Sequence, residues 1–563
     1  MKKAAGNRLI ACSLALAFGF VISAGAPISM TKKENEAETI HSLNKFKRIM
    51  LLDRGRLKPI DTYAENLLLQ FSGKKSLNHK PAVDWFARTL FAPGTALSDK
   101  VLLINNAEIA DAMGIAPERG RRYGVDRLMP GLRKLSTLYE TAMRANERER
   151  SAFDLEIIRL TENVSQYTAL LQALRFAVTI DQLAIYGSLD SGSSDTLRTT
   201  SALLWANMAS TFAVGDQDAF DKASEKLAAF IVTTWPGALS AKDPGIELFY
   251  NRFDLFSAAK IFYGIGLLFL ALYMPLRLRG LYGTAAAILF TGGIVHTLGM
   301  VLRLIIMERP PVTNMYETFI FVGWMAVVLG GVTELFQKHG WGLAIAALSG
   351  FSLLHIAGKF GLEGDTMGML AAVLNNNFWL TSHVITIACG YSGCIAAGLL
   401  SHIALVRGVF FRRRFQTPDS LDLCVYGILA FGLTFTVIGT VLGGLWADQA
   451  WGRFWGWDPK ENGALVIILW CAFLFHMRHT NWLGRHGFAA GCVIGLSLVL
   501  CAWLGINLLG IGMHAYGFTS TGARVLFSVL GFEAAFLISI GIAGILKTAR
   551  KKRNDPAPAA PHS

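Results

Sequence analysis

Residues 443–461 read GGLWADQAWGRFWGWDPKE. Four tryptophans (Trp446, Trp451, Trp455 and Trp457) fall within twelve residues, interleaved with glycines and followed by a proline, and long apolar runs flank the stretch on both sides. Such a composition is poor in helix formers. It is expected to form a loop over 443–461 that presents a flat aromatic platform at a membrane surface. An interfacial aromatic belt is the plainer reading, but belts scatter Trp and Tyr over many loops rather than concentrating four in one.

Working outward, the chain has 563 residues, of which 53% are hydrophobic, and a mean hydropathy of +0.41. That is too apolar for a soluble protein of this size. Runs near 20 residues, the length that crosses a bilayer as helix, are placed near 8–25, 256–274, 283–306, 316–336, 341–357, 379–406, 422–442, 463–479, 488–510 and 524–547. The fold class expected is an all-α polytopic membrane protein with about nine or ten transmembrane helices and a mostly helical N-terminal domain.

The formal charge is +13. In a soluble chain this excess would point to nucleic acid, but its distribution has another explanation. Lys2, Lys3 and Arg8, Arg277 and Arg279, Lys338, Arg407 with Arg412–Arg414, Arg478 with Arg485, and Lys547–Arg553 occupy alternate connections. By the positive-inside rule those connections are cytoplasmic. Residues 28–253, the Trp-rich stretch and 511–523 then lie outside. The location expected is a bacterial inner membrane, with the N-terminal domain and the Trp-rich stretch on the periplasmic or extracytoplasmic side.

The domains expected are a signal peptide or signal anchor over 1–27, an extracytoplasmic domain over 28–253, a transmembrane domain over 254–547 and a disordered cytoplasmic tail over 548–563. Lys2, Lys3, the following apolar run and Ala24-Gly25-Ala26 fit both versions of the first segment. All seven cysteines fall in apolar runs. No disulfide framework is therefore expected outside, and the absence of CxxCH excludes a c-type cytochrome. Within 28–253, residues 131–176 combine helix formers with apolar spacing of three and four. RGRLKPIDTYAENLLL at 54–69 is read as opening a helix, with Asp61 or Thr62 as its cap. SGSSDT at 191–196 is read as a loop.

His383 (WLTSHV), His514 (GIGMHAYGF), His476 (FHMRHTNW) and His296 (GGIVHTLGM) lie in or beside the apolar runs. A single such histidine is usually a core residue satisfied by one hydrogen bond. Ionisable groups inside membrane spans are costly, however, and tend to serve function. By this topology His383 and His514 reach the outer surface level with the tryptophans. Two imidazoles facing each other across an aromatic slot make a bis-histidine haem site. His355 and His402 have no assigned role.

WADQAWGRFWGWDPKE resembles the tryptophan-rich signature of the haem-handling membrane proteins of cytochrome c maturation, most closely the system II synthase component of the CcsA/ResC type. The resemblance covers about 285–547. It implies that His383 and His514 are the outer haem ligands and that His476 binds haem within the membrane. ERPPVTNMYETFIFVGW at 308–324 resembles the family's loop and following helix. The resemblance also implies haem b as substrate and bound cofactor, an apocytochrome c whose CxxCH receives it, and membrane lipid as surroundings. Fused relatives carry a ResB-like half with a further membrane histidine. Here only one possible span precedes residue 250, so a separate ResB-like partner is expected, with His296 as the candidate ligand opposite His476. Trp446, Trp451, Trp455, Trp457, Asp458 and Arg453 complete the candidate cofactor site. Arg303, Arg309, Arg453 and Arg524 are candidate partners of the haem propionates. Asp448, Asp458 and Glu461 either polarise the haem edge or simply cap the loop. The function implied is holocytochrome-c synthesis, as part of a lyase complex, and the alternative is a haem exporter that forms no thioether.

Overall fold

The apolar runs become helices, and so does most of the polar segment before them. A computed structural model describes residues 40–146, 149–174, 195–234, 243–370, 376–410, 420–506 and 520–554. The chain forms two compact units. Among the described residues, one comprises 40–252 together with Gly361–Met369, and the other comprises Phe253–Phe360 and the chain from Leu370 onward.

In the first unit, β1 (Met50–Asp53) and β2 (Arg56–Pro59) pair antiparallel with Asp53 opposite Arg56. The two residues between them, Arg54 and Gly55, both have positive φ (50° and 79°), as a tight hairpin turn requires. Helix α1 (Ile60–Ser72) starts directly after this hairpin. The expected cap is not found. Pro59 occupies the cap position with no side-chain bond, because Asp61 and Thr62 lie inside the helix and their side chains bond elsewhere. There follow α2 (Ala82–Phe91), α3 (Leu132–Arg144), α4 (Ala152–Gln172), α5 (Asp195–Val214), α6 (Gln217–Thr234) and α7 (Pro244–Phe253), with shorter helical turns between them.

The helical segment expected near 131–176 is divided in two. Ser151 and Asp154 form a reciprocal capping box that starts α4 anew. Asp195 opens α5, and 191–194 lie outside the described residues. Two minimal strand pairs, β3 (Ser76–Leu77) with β4 (Lys80–Pro81) and β5 (Leu102–Leu103) with β6 (Arg122–Tyr123), complete the unit. Its core is strongly aromatic. Phe46 packs on Phe86, Phe91, Trp205 and Phe220, while Trp85 stacks on Tyr167.

The second unit contains α8 (Leu255–Leu276), α9 (Arg279–Met307), α10 (Met315–Gln337), α11 (Trp341–Phe360), α12 (Thr381–Phe410), α13 (Ser420–Trp451), α14 (Pro459–His479), α15 (Arg485–Gly505) and α16 (Ser520–Asn554). Among the described residues, nine helices are long and apolar enough to cross a membrane. The nine spans expected after residue 250 are all present, and the chain is a multi-pass membrane protein. The tenth expected span, 8–25, lies outside the described residues. The tail expected to be disordered from 548 is helical to Asn554.

Helix α12 is central, packed against α13, α15 and α10. Small residues allow that closeness: a Cβ on Gly393 would lie 2.7 Å from the Cα of Gly432. The last helix, α16, is the most exposed of the nine.

Candidate functional site

The site begins where α12 meets α13. Ahead of the regular part of α12, Leu380–Val384 form a widened π turn containing His383, a feature frequent at functional sites. The His383 Nδ1 lies 2.8 Å from the Gly439 carbonyl oxygen. A carbonyl only accepts, so Nδ1 carries the proton and the ring's lone pair sits on Nε2. This backbone anchoring of one imidazole nitrogen is how metal-ligating histidines are oriented. One turn along α13, a Cβ on Gly443 would come within 2.6 Å of the His383 Cε1, so the ring occupies space that only glycine leaves.

The Trp446 ring lies 5.8 Å from His383, edge-on. Parallel to Trp446, at 6.5 Å and an 8° interplanar angle, lies Trp379, whose Nε1 donates to Gln449 Oε1 at 3.0 Å. Phe378 packs edge-on against Trp379 at 4.9 Å. The residues leading into α12 and the end of α13 thus build one aromatic wall around His383. Trp379, Gln449, Gly439 and Gly443 were not singled out from the sequence. The available signal was Trp379, one helical turn before His383.

A second π turn, Cys501–Gly505, ends α15. Its Trp503 stacks on Phe319 at 4.2 Å. His514 lies outside the described residues.

The Trp-rich stretch is not one loop. Helix α13 continues through Trp451, placing Trp446 and Asp448 on its last turns, and α14 begins at Pro459. Packing on α12 overrides the low helix propensity of this stretch. Gly452, at φ 69°, ends α13 with its N–H donating to the Asp448 carbonyl at 2.9 Å. The coil is therefore Gly452–Asp458. In it Trp457 is 70% exposed and holds φ 56°, an uncommon conformation for a bulky residue. Trp455 meets it edge-on at 6.0 Å.

The carboxylates here shape the loop. Asp458 and Glu461 form a capping box at the start of α14. Glu461 Oε2 also accepts from the Gly456 amide at 2.8 Å. Its Oε1 pairs with Arg453 at 3.1 Å, and the Arg453 guanidinium lies 5.8 Å from the Trp451 ring centre.

His476 and His296 sit in different surroundings. His476 is exposed on α14, which packs on α13 and α15. His296 is completely enclosed: its Nδ1 is 3.0 Å from the Tyr263 hydroxyl, and the Phe256 ring meets it edge-on. His296 Nε2 is buried without a hydrogen-bond partner, whereas His476 is open to its surroundings.

Arg303, expected near a propionate, is instead fully buried in an ion pair with Glu317, Nε to Oε1 2.9 Å. Glu317 Oε2 accepts from both the amide (2.9 Å) and the hydroxyl (2.6 Å) of Thr313, and Arg309 donates to that hydroxyl at 2.6 Å. This network braces the Pro310-Pro311 turn. His402, left without a role by the sequence, pairs with the buried Glu533 of α16 at 2.8 Å.

A family profile described as cytochrome C assembly protein matches residues 312–514. The chain is 33% identical to the cytochrome c biogenesis protein CcsA of Chlamydomonas reinhardtii over 244 residues, 40% of this chain and 67% of that protein. It is 29% identical to CcsA of Synechococcus sp. (strain CC9902) over 271 residues, 42% of this chain and 87% of that protein. Protein NrfI of Wolinella succinogenes is 25% identical over 504 residues, covering 82% of this chain and 53% of NrfI. The chain thus spans about half the length of NrfI. That similarity covers more than the membrane helices contain, so it extends into the N-terminal unit.

Proposed function

The chain belongs to the CcsA family of cytochrome c biogenesis proteins, and on that premise we propose that it holds haem b as substrate and presents it for covalent attachment to the CxxCH of an apocytochrome c. The observation that carries this reading is the His383 ring, fixed through Nδ1 to the Gly439 carbonyl beside the Trp446–Trp379 wall. The residues fit the group. A neutral imidazole with its lone pair on Nε2 is an axial ligand for haem iron, and parallel indoles suit the flat face of a tetrapyrrole.

In this reading haem is first held near the exposed His476 and then moves to the aromatic wall, where His383 and His514 ligate the iron. Trp451, Trp455 and Trp457 border the haem edge. Asp458, Glu461 and Arg453 hold the coil that carries these tryptophans. Two thiols of the apocytochrome add across the two vinyl groups. Each S–H bond breaks, a C–S bond forms, and the hydrogen ends on the neighbouring vinyl carbon, with no net redox change. The chain's own contribution is orientation and exclusion of competing chemistry. The site faces the periplasmic side of an inner membrane, and a ResB-like membrane protein is the partner.

Co-expression with a c-type cytochrome in a host lacking its own maturation genes, with and without a ResB-like protein, tests this. Covalent haem on the cytochrome is expected. His383→Gly or His514→Gly is expected to abolish it, and added imidazole to restore part of it. Full cytochrome yield from both variants sinks the ligand assignment. Haem released without thioether formation identifies an exporter instead.

A further inference from the structure

His355, left without a role by the sequence, lies on the membrane unit away from His383. It sits on α11, which packs closely against α8. Two glycines fix the seam between these helices. A Cβ on Gly350 would lie 2.6 Å from the Tyr263 ring, and a Cβ on Gly264 would lie 3.2 Å from the Phe351 ring. Gly264 on α8 is therefore level with Phe351 on α11.

Four successive spans, α8 to α11, make these two helices antiparallel. One turn from Gly264 toward the start of α8 stands Lys260. One turn from Phe351 toward the end of α11 stands His355, and a further turn along stands Lys359. The register thus brings two ammonium groups and an imidazole to one end of one seam. Lys260 and Lys359 are near enough for the charge of each to act on the His355 ring. That ring lies parallel to Phe351, 6.2 Å away at an interplanar angle of 12°.

The surface around this group is apolar. Ile261, Ile265 and Leu268 of α8 and Phe351 of α11 are exposed, as side chains that face acyl chains are. His355 and Lys359 are exposed too, and Lys260 is half-buried. Among the described residues, none of the three has an ion pair or a side-chain hydrogen bond. At about 1.5 Å per residue, Lys260 lies about 7.5 Å from the start of α8, and His355 about 7.5 Å from the end of α11. That is the depth at which headgroups meet acyl chains.

A single lysine at this depth is explained by snorkelling. Two ammonium groups on adjoining helices, with an imidazole between them and no carboxylate, repel one another and call for an anion. An acyl chain on the apolar seam and a phosphate among the three cationic or donor groups would satisfy both the surface and its charge.

We propose that Lys260, His355 and Lys359 form a binding site for the phosphodiester headgroup of an anionic membrane phospholipid, with Phe351 and Ile261 against its acyl chains. The site is independent of the haem reading.

The test uses the full-length protein, stripped of lipid in detergent and then exposed to mixed micelles of phosphatidylglycerol and phosphatidylcholine. Retained lipid is counted by native mass spectrometry. The wild type is expected to keep phosphatidylglycerol several-fold over phosphatidylcholine. Lys260→Gln with Lys359→Gln is expected to abolish that preference, and Lys260→Arg with Lys359→Arg to preserve it. Arg279→Gln with Lys338→Gln removes the same charge from exposed positions at the other end of these helices and is expected to change nothing. Lys359→Gln alone, at an exposed position, gives a second reading and is expected to weaken the preference. An unchanged preference in both Gln variants of the site, or an equal loss in the Arg279/Lys338 pair, overturns the proposal. Inorganic phosphate in excess is expected not to displace the lipid. Displacement by phosphate alone would mark a free-anion site and overturn the lipid assignment.

Discussion

The His383 imidazole is held between the Gly439 carbonyl, 2.8 Å from Nδ1, and the bare backbone of Gly443, where a Cβ would sit 2.6 Å from Cε1. One residue orients the ring and the other makes room for it. Gly443→Ala is therefore expected to displace His383 while leaving the helices in place. A misplaced ligand lowers yield on the order of 10- to 100-fold. The measurement is holocytochrome yield at matched membrane abundance, alongside the haem spectrum. An unperturbed six-coordinate spectrum in Gly443→Ala contradicts this account of the ligand.

His296 and His476 separate by environment. His296→Ala removes the hydrogen-bond partner of the buried Tyr263 hydroxyl and is expected to destabilise the protein by about 1–3 kcal/mol, seen as a lower melting temperature and reduced membrane abundance. His476 is exposed, so His476→Ala is expected to alter stability by no more than about 0.5 kcal/mol while reducing bound haem. A haem loss without destabilisation in His296→Ala reverses these roles.

Asp458 starts α14 through its capping box with Glu461. Asn caps nearly as well as Asp, whereas Ala costs about 1 kcal/mol. Asp458→Asn is therefore expected to keep both fold and cytochrome yield, and Asp458→Ala to lose some of each. If Asn fails as badly as Ala, the negative charge itself acts on the substrate.

Acid should loosen the Lys58–Asp365 ion pair of the N-terminal unit, in which Nζ lies 2.7 Å from Oδ2. The Asp365 carboxyl is held below its ordinary value of 3.8, so its contribution is present above that value and is lost as the pH falls through the lowered one. Exchange over 361–369 is expected to rise on acidification past the ordinary carboxylate range in the wild type. Asp365→Asn should show high exchange at every pH. A pH-independent wild-type segment rules out this ionisation as the anchor.

In the membrane unit, the His402 Nδ1 lies 2.9 Å from the Gly398 carbonyl and its Nε2 2.8 Å from Glu533. The carbonyl accepts, so the Nε2 contact shares a single proton with the carboxyl. His402→Ala would leave Glu533 buried and unpaired, at about 3–5 kcal/mol. Glu533→Gln keeps a hydrogen-bonding group and is expected to be milder. Relative melting temperatures in detergent decide between them, and equal effects would show the pair to be dispensable.

The nine described spans were legible because a bilayer imposes a length and an apolarity that composition displays directly. The helical end of α13 was not: glycine and tryptophan argue against a helix locally, and only the fit of α13 against α12 outweighs them. Asp458 and Glu461 lie at capping-box spacing, so their structural role could be read from four residues, and Arg453 follows from Glu461. Sequence separation hid the rest. His402 and Glu533 lie 131 residues apart, and nothing around Asp365 marks it as the partner of a lysine 307 residues earlier. The helix expected to open within 54–69 is present, but the β1–β2 hairpin ahead of it was not read, and Pro59 rather than Asp61 or Thr62 takes the cap position.

Because Gly361–Met369 completes the N-terminal unit, that unit is discontinuous. A fragment cut after Arg252 would retain Lys58 and Asp53 but lack Asp365, and the buried ammonium would face a vacated seat. The N-terminal unit thus takes part of its chain from between two membrane helices, α11 and α12. Severing the gene at that boundary would yield two products, each missing something the other encodes.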